Sequence, residues 1–321
     1  MKERPLISVV IPCYNRSKVV KRAISSALQQ TYQTLEIVVV DDASADSKEL
    51  FCLIHSYKDS RLRLIRHSKN RYASAARNTG VQAAKGVLIA FLDSDDEWLP
   101  QKLEKQVEIW NSSSKARILV YSQSDVLTRY DQPAGNKIWP QRAIAIDESI
   151  GDYLFLNRGF LQTSTILIPR AVASKVQFNE ALQRHTDYDF LLRLEAAGVS
   201  FLMVEEPLAV VHWEDLDLDS RGQTTEKSLA FLSEYKEYIS PRAANAFCLR
   251  QVVYQQMRTG KRRQALSLLL KHTKLRYSRL LDLVNISSLF LFKDDRLAIY
   301  LANVKALLLH KKKTSLKATV D

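Results

Sequence analysis

Cysteine is scarce here and badly placed for its structural uses. The 321-residue chain has three, Cys13, Cys52 and Cys248, an odd number, far apart and without metal-ligand spacing. That argues against a disulfide scaffold and a thiolate metal site, and for a reducing compartment. Long apolar runs are missing too. The first, Leu6 to Ile11, is too short for a signal peptide, and no run approaches the ~20 residues of a spanning helix. The expectation is a cytoplasmic protein, soluble or peripheral on the inner face of the cell membrane. No internal repeat or low-complexity segment is present.

What is there is enough for one large domain, or a domain with an appendage, and the 46% apolar content is ordinary for a globular chain. Charge divides it. From Glu226 to Asp321 there are 19 Lys and Arg against 7 Asp and Glu, so the whole formal excess of +12 falls there. The residues before Glu226 carry 28 of each sign and are neutral. We therefore expect two regions, 1–223 and 224–321. The second is helical by pattern, with Lys261-Arg262-Arg263, Lys271 to Arg279 and Lys311-Lys312-Lys313 around apolar stretches such as Leu280 to Phe292. It reads either as amphipathic helices on an anionic membrane surface or as a helical cap with a solvated basic face. Nucleic acid is not the expected partner: the neutral N-terminal region would have no purpose, and no recognised nucleic-acid motif appears.

The N-terminal region alternates between short apolar runs and helical spacing. Apolar runs at Leu6–Ile11, Leu35–Val40, Leu62–Ile65 and Val87–Leu92 predict strands. Helices are predicted over Ser17–Gln30, Ser47–Tyr57 and Ala73–Ala84, and another near Leu99-Pro100. That order implies a parallel sheet with helices on both faces. Further strands are predicted at Ile118–Ser122, Ser164–Ile168, Ser200–Val204 and Leu208–Val211, and a helix at Asp187–Ala197.

The strand ends carry the chemistry. The first leads into Pro12, Tyr14 and Asn15, the second into Asp41 and Asp42, and the fourth into Asp93, Asp95 and Asp96. In a parallel sheet those ends share one edge, where open α/β folds bind ligands. Three carboxylates in four positions repel unless a cation sits among them, and Mn²⁺ or Mg²⁺ takes one or two carboxylates plus substrate phosphates. The competing reading makes Asp95 or Asp96 the cap of the next helix. Tyr14 can offer a face to a base, and Asp41 or Asp42 can accept from a base imino group. Arg77 can face a diphosphate or pair with a carboxylate. Each has a plainer alternative as a surface aromatic, a turn or a cap.

VVIPCYNR, EIVVVDDAS, AARNTG and AKGVLIAFLDSDDEW, in this order and spacing over roughly residues 6–215, resemble the signature blocks of family 2 glycosyltransferases. HTDYDFLLRLEAAG resembles that family's acceptor-side motif, with Thr186 where Glu is usual. The resemblance implies a GT-A fold, a mostly parallel Rossmann-like sheet with helices on both faces. It also implies inverting transfer of a sugar from a nucleoside diphosphate donor, most often a UDP-sugar, in the manner of bacterial surface-polysaccharide enzymes. The acceptor would be a hydroxyl of a glycan or lipid-linked glycan. By the same carry-over Pro12, Tyr14, Asn15, Asp41 and Asp42 hold the nucleoside. Arg77 lies beside the diphosphate and Asp93 near the ribose. Asp95 holds the metal, Asp96 is the alternative ligand, His212 is a further candidate, and Asp187 is the base. A helix start favours an ionised Asp187, although Asp187 or Thr186 could simply cap that helix. No Q-x-x-R-W motif is present, against a processive synthase. Glu214 to Thr225 reads as a mobile lid. Tyr130, Trp139, Tyr153 and Phe160 lie in the region expected to shape the acceptor site. Two other functions compete: a sugar nucleotidyltransferase, whose glycine-rich phosphate loop is missing from CYNRSK, and a non-catalytic nucleotide-sugar binder.

Overall fold

A computed structural model describes residues 4–115, 117–127, 137–213, 225–258 and 260–273. The chain forms two compact units, residues 1–222 and 223–321.

The first unit is built on a nine-stranded sheet. Its elements run β1 (Ile7–Cys13), α1 (Val20–Leu28), β2 (Leu35–Asp41), α2 (Ser47–Ser56), β3 (Leu62–Arg66), α3 (Tyr72–Ala83), β4 (Leu88–Phe91), β5 (Glu97–Trp98) and α4 (Lys102–Ser112). Then come β6 (Ile118–Leu127), β7 (Lys137–Trp139), β8 (Leu167–Pro169), α5 (Arg170–Val176), α6 (Thr186–Ala196) and β9 (Ser200–His212). The strand order is β3-β2-β1-β4-β8-β6-β9-β5, with β7 on β6.

β1 and β2 are buried at every position, which is why their sequences are continuous Val/Ile runs rather than alternating ones. β3, β2, β1 and β4 are mutually parallel, and the register sets Cys13 opposite Asp41, Asp41 opposite Arg66 and Val10 opposite Phe91. The carboxyl ends of these strands thus share one edge. α1 buries Val20, Ala23, Ile24 and Ala27 on one face. α3 lies against β1 because Gly80 has no side chain: a Cβ there would be 2.3 Å from Val10 Cγ1.

Beyond β4 the sheet turns mixed, as a mostly parallel sheet allows: β8 is antiparallel to both β4 and β6. Thr163–Thr165 is a 3₁₀ turn and the strand begins only at Leu167; Gln162 accepts from the Ser164 N–H and holds the turn. The two short strands expected at 200–204 and 208–211 are one strand. Glu205-Glu206-Pro207 reads as a break, but β6 pairs on both sides of it and absorbs the extra residues as a register shift near Gln123. α1 starts at Val20 rather than Ser17. α4 is preceded by Gln101 at its N-cap, so neither Asp95 nor Asp96 caps it.

The second unit holds α7 (Thr225–Glu234), α8 (Pro241–Phe247), a π-helical turn (Cys248–Val253), α9 (Tyr254–Arg258) and α10 (Arg262–His272). Ser240 caps α8, its hydroxyl accepting from Ala243 N, with Pro241 in the first turn. Cys248, Leu249, Val252, Val253, Met257 and Ala265 form its core. Leu266 and Leu270 of α10 stay exposed, at 46% and 76%. Among the described residues no helix is long and apolar enough to cross a membrane. The segment Leu280 to Phe292, the lysines at 311–313, Tyr130 and nearly all of the expected lid lie outside the described residues.

Candidate active site at the carboxyl edge of the sheet

The end of β1 is tied to the end of β2. Asn15 adopts φ 53°, a left-handed conformation Asn tolerates better than most residues. Its N–H donates to Ser44 Oγ at 2.9 Å and its Oδ1 accepts from Ala45 N at 2.8 Å. Pro12 is buried in β1, beyond the last residue of β1 that pairs with β4. Tyr14 projects beside it, 48% exposed.

Asp41 is fully buried, and its Oδ1 accepts from Ser44 N at 2.9 Å. Among the described residues its Oδ2 has no hydrogen-bond donor; Arg66 Nε stands 3.5 Å away. Asp42 Oδ1 accepts from His67 Nδ1 at 2.7 Å and Arg71 N at 2.9 Å, while its buried Oδ2 has no donor among the described residues. A buried acceptor left without a donor costs about 1–3 kcal/mol, so each carboxylate is suited to receiving an N–H or O–H from a ligand.

The acidic loop after β4 is braced from several elements. Asp93 accepts from Arg77 Nη2 at 2.6 Å and from Gln162 Nε2 at 3.2 Å, and its N–H donates to Ser164 Oγ at 3.0 Å. Asp96 is almost wholly buried, and burial pushes its carboxyl well above the usual range, with the charges of Asp93 and Asp95 adding to the effect. Its Oδ1 accepts from His212 N at 3.1 Å and its Oδ2 from Ser164 Oγ at 2.5 Å. Asp95 Oδ2 accepts from Arg16 Nη1 at 2.8 Å; its carbonyl accepts from Arg22. His212 Nε2 lies 3.2 Å from Glu97 Oε1.

Arg77 stands at the centre. Burial works against its charge, yet the carboxylates of Asp93, Asp187 and Asp95 outweigh that and raise its pKa. One guanidinium therefore feels acids from the β4 loop and from α6, placed there by an aromatic floor. Arg77 lies 5.1 Å from the Phe178 ring centroid. Phe178 stacks on Phe190 of α6 at 4.1 Å and meets Phe91 of β4 edge-on at 5.3 Å.

α6 is locked by Asp189 and Arg193. Arg193 Nε donates to Asp189 Oδ1 at 2.7 Å, and its other nitrogens donate to the Val176 and Gln177 carbonyls. Half-buried Asp187 lies in the first turn, its Oδ1 accepting from Thr186 Oγ1 at 3.0 Å. Neither residue caps the helix; the N-cap is His185, at φ 59°. Among the acceptor-side aromatics, Tyr153 is buried, with its hydroxyl donating to the Arg142 carbonyl at 3.0 Å. Phe160 packs edge-on against Trp213 at 5.6 Å.

Among the described residues no three His, Cys, Asp or Glu side chains gather as a ready metal cage. The donors are nevertheless hard and suited to Mn²⁺ or Mg²⁺, which share an ion between one or two carboxylates and substrate phosphates. Both Asp96 oxygens are committed to protein donors, whereas the Asp95 side chain keeps 15% of its surface open. Sequence patterns missed the bracing residues. Gln162 and Ser164 sit on a short turn with no periodicity, and Arg22 lies within a predicted helix. Arg16 directly follows the first strand-end motif and was open to the same reasoning as Asn15.

Residues 8–176 match the family model described as glycosyl transferase family 2. The chain is 31% identical over 264 residues to the amylovoran biosynthesis glycosyltransferase AmsB of Erwinia amylovora, covering 80% of this chain and 87% of that protein. It is 41% identical over 104 residues to the Escherichia coli protein named UDP-Glc:alpha-D-GlcNAc-diphosphoundecaprenol beta-1,3-glucosyltransferase WfgD, covering 32% of this chain and 40% of that one. The mannosyltransferase PcManGT of Pyrobaculum calidifontis, solved with GDP-Man and Mn²⁺, superposes with TM-score 0.57 at 17% identity, over 95% of this chain and 88% of that one.

Proposed function

The chain belongs to the family 2 glycosyltransferases and has their GT-A fold, and from that premise we propose that it transfers a sugar from a UDP-sugar to an acceptor hydroxyl with inversion. The observation that carries this reading is Arg77, whose charge is shared by Asp93, Asp95 and Asp187. A donor-side acid loop and a candidate base thereby act electrostatically on one cation, which pairs directly with Asp93.

In this reading Tyr14 stacks on the base, and the unpaired Asp41 Oδ2 accepts the uracil imino N–H. Pro12 and Asn15 shape the loop under the nucleoside, and Asp42, held by His67, receives a further donor from it. Asp93 faces the ribose. Asp95 holds Mn²⁺ or Mg²⁺, with Asp96 and His212 bracing the loop behind it. Once bound, that ion supplies positive charge for the departing diphosphate. Asp187 takes the proton of the acceptor hydroxyl. The hydroxyl oxygen attacks the anomeric carbon, the bond to the diphosphate breaks, and one displacement inverts the centre. Arg77 stabilises the negative charge growing on the leaving group.

The acceptor, by analogy with the proteins named above, is a glycan or lipid-linked glycan of a bacterial surface polysaccharide. The basic C-terminal region brings the enzyme to an anionic membrane surface. A nucleotidyltransferase is not the family found, and a carboxylate at Asp187 that acts on the charge of Arg77 disfavours a mere binder.

A thermal-shift panel of UDP, GDP, dTDP and CMP with Mn²⁺ or EDTA, on wild type and Asp95→Ala, tests the donor site. We expect a Mn²⁺-dependent shift with UDP that Asp95→Ala loses, since a ligand of the native state raises the melting temperature by mass action. No shift with any nucleotide would overturn the reading.

A further inference from the structure

One cation on the acceptor side is not absorbed by this mechanism. Arg184 lies three residues before Asp187 and is partly buried. Its Nε donates to His185 Nε2 at 3.0 Å. That ring is itself held, stacked on Tyr188 with centroids 5.4 Å apart, and Tyr188 meets Phe155 edge-on at 5.0 Å. Burial, with the charge of Arg184 adding to it, lowers the pKa of His185 to about 3, so the ring is neutral and its Nε2 accepts from Arg184. Among the described residues no carboxylate is paired with Arg184; burial opposes its charge and only Tyr188 partly offsets that.

This arrangement differs from that of the other arginines at the edge. Arg16 and Arg77 are spent on Asp95 and Asp93. Arg184 is held through its Nε, which leaves the Nη1/Nη2 edge as a fork of parallel N–H donors. Such a fork matches two oxygens of a phosphate or carboxylate. A partly desolvated guanidinium without an anion is costly, and the cost is relieved when an anion arrives. Asp187 lies in the first turn of the helix that follows, and on its proposed role we assign that anion to the acceptor molecule. We infer that Arg184 binds a phosphate of the acceptor, the group through which the acceptor sugar is linked. This rests on the proposed role of Asp187.

Calorimetry on the full chain with UDP and Mg²⁺ present tests it, using decyl phosphate, inorganic phosphate, decyl glucuronide and decyl maltoside as probes. Wild type should bind decyl phosphate, Arg184→Ala at least tenfold more weakly, and Arg184→Lys in between, because Lys keeps the charge but not the fork. Decyl maltoside should not distinguish the three proteins. Inorganic phosphate binding as tightly as decyl phosphate would assign the site to a soluble glycosyl phosphate rather than a lipid headgroup. Selective binding of the glucuronide would overturn the phosphate assignment in favour of an acidic sugar. Equal decyl phosphate binding by wild type and Arg184→Ala would overturn the site altogether. The UDP-induced melting shift, measured on the same samples, separates the two readings. Its absence in wild type would count against the donor site, and its retention in Arg184→Ala shows an intact fold and donor site.

Discussion

Replacing Arg77 with Met should destabilise the first unit through charge rather than packing. The substitution keeps much of the aliphatic stem over Phe178 but strands Asp93, whose Oδ1 loses its 2.6 Å partner. It also removes a buried cation whose charge is felt by Asp93, Asp187 and Asp95, leaving Arg16 on Asp95 alone. Breaking a fully buried ion pair costs about 3–5 kcal/mol. The Asp93 side chain is 20% exposed and that of Arg77 7%, so water recovers a part, and we expect about 2–4 kcal/mol. For a unit of this size that lowers the melting temperature by about 5–15 °C. Adding Asp93→Asn should restore about 1–3 kcal/mol, because the stranded charge goes with it and contacting residues are not additive. Urea denaturation in EDTA, followed on the transition that UDP shifts, completes the double-mutant cycle. A single-variant loss below about 1 kcal/mol, or strict additivity of the two, would refute the account of Arg77 as the hub of the acids.

Four further outcomes follow from particular contacts. Gly80→Ala should cost about 1–3 kcal/mol by overpacking against Val10, 2.3 Å from the added carbon; Val10→Ala in the same chain should recover part of it in a urea melt, and no recovery would point elsewhere. His185 has a folded pKa of about 3 against its usual 6.5. The unfolded chain therefore binds more protons in between, and stability falls as pH drops from about 6.5 toward 3. His185→Asn, which tolerates the left-handed backbone and can still accept from Arg184, should flatten that slope; an unchanged acid profile would be contrary evidence. Asp187→Asn should lower kcat by about 10²–10⁴ while keeping the UDP melting shift, and full activity would remove it as the base. Exposed Leu266 and Leu270 should insert into anionic vesicles, so the Leu266→Ser/Leu270→Ser variant should float with them less than wild type; equal flotation would exclude α10.

Much of the first unit was legible because its signals are local. The Val/Ile runs of β1 and β2 mark strands buried on both faces. The spacing of Val20, Ala23, Ile24 and Ala27 marks a helix face, and Asp41, Asp93 and Asp187 stand where such runs end or begin. What failed did so where the partner is remote. Glu205-Glu206-Pro207 breaks a pattern but not a strand, because β6 pairs across it. Thr163 to Thr165 resembles strand by composition, yet Ser164 turns to hold Asp93 and Asp96, about 70 positions back along the chain in each bond.

By itself the sequence determined the alternating α/β order, the carboxylates at the strand ends and the charge boundary near residue 225, since each depends on residues adjacent in the chain. Only tertiary structure decided which carboxylates share a cation. Arg77 pairs with Asp93 and feels the charge of Asp187 because Phe91, Phe178 and Phe190 pack together, and no spacing rule spans that distance. It alone also distinguished the two neighbouring acids, burying Asp96 among donors from β9 and the Ser164 turn while leaving Asp95 at the mouth. The physical reason is that burial and pairing belong to the space around a side chain, and that space is furnished by residues distant in sequence.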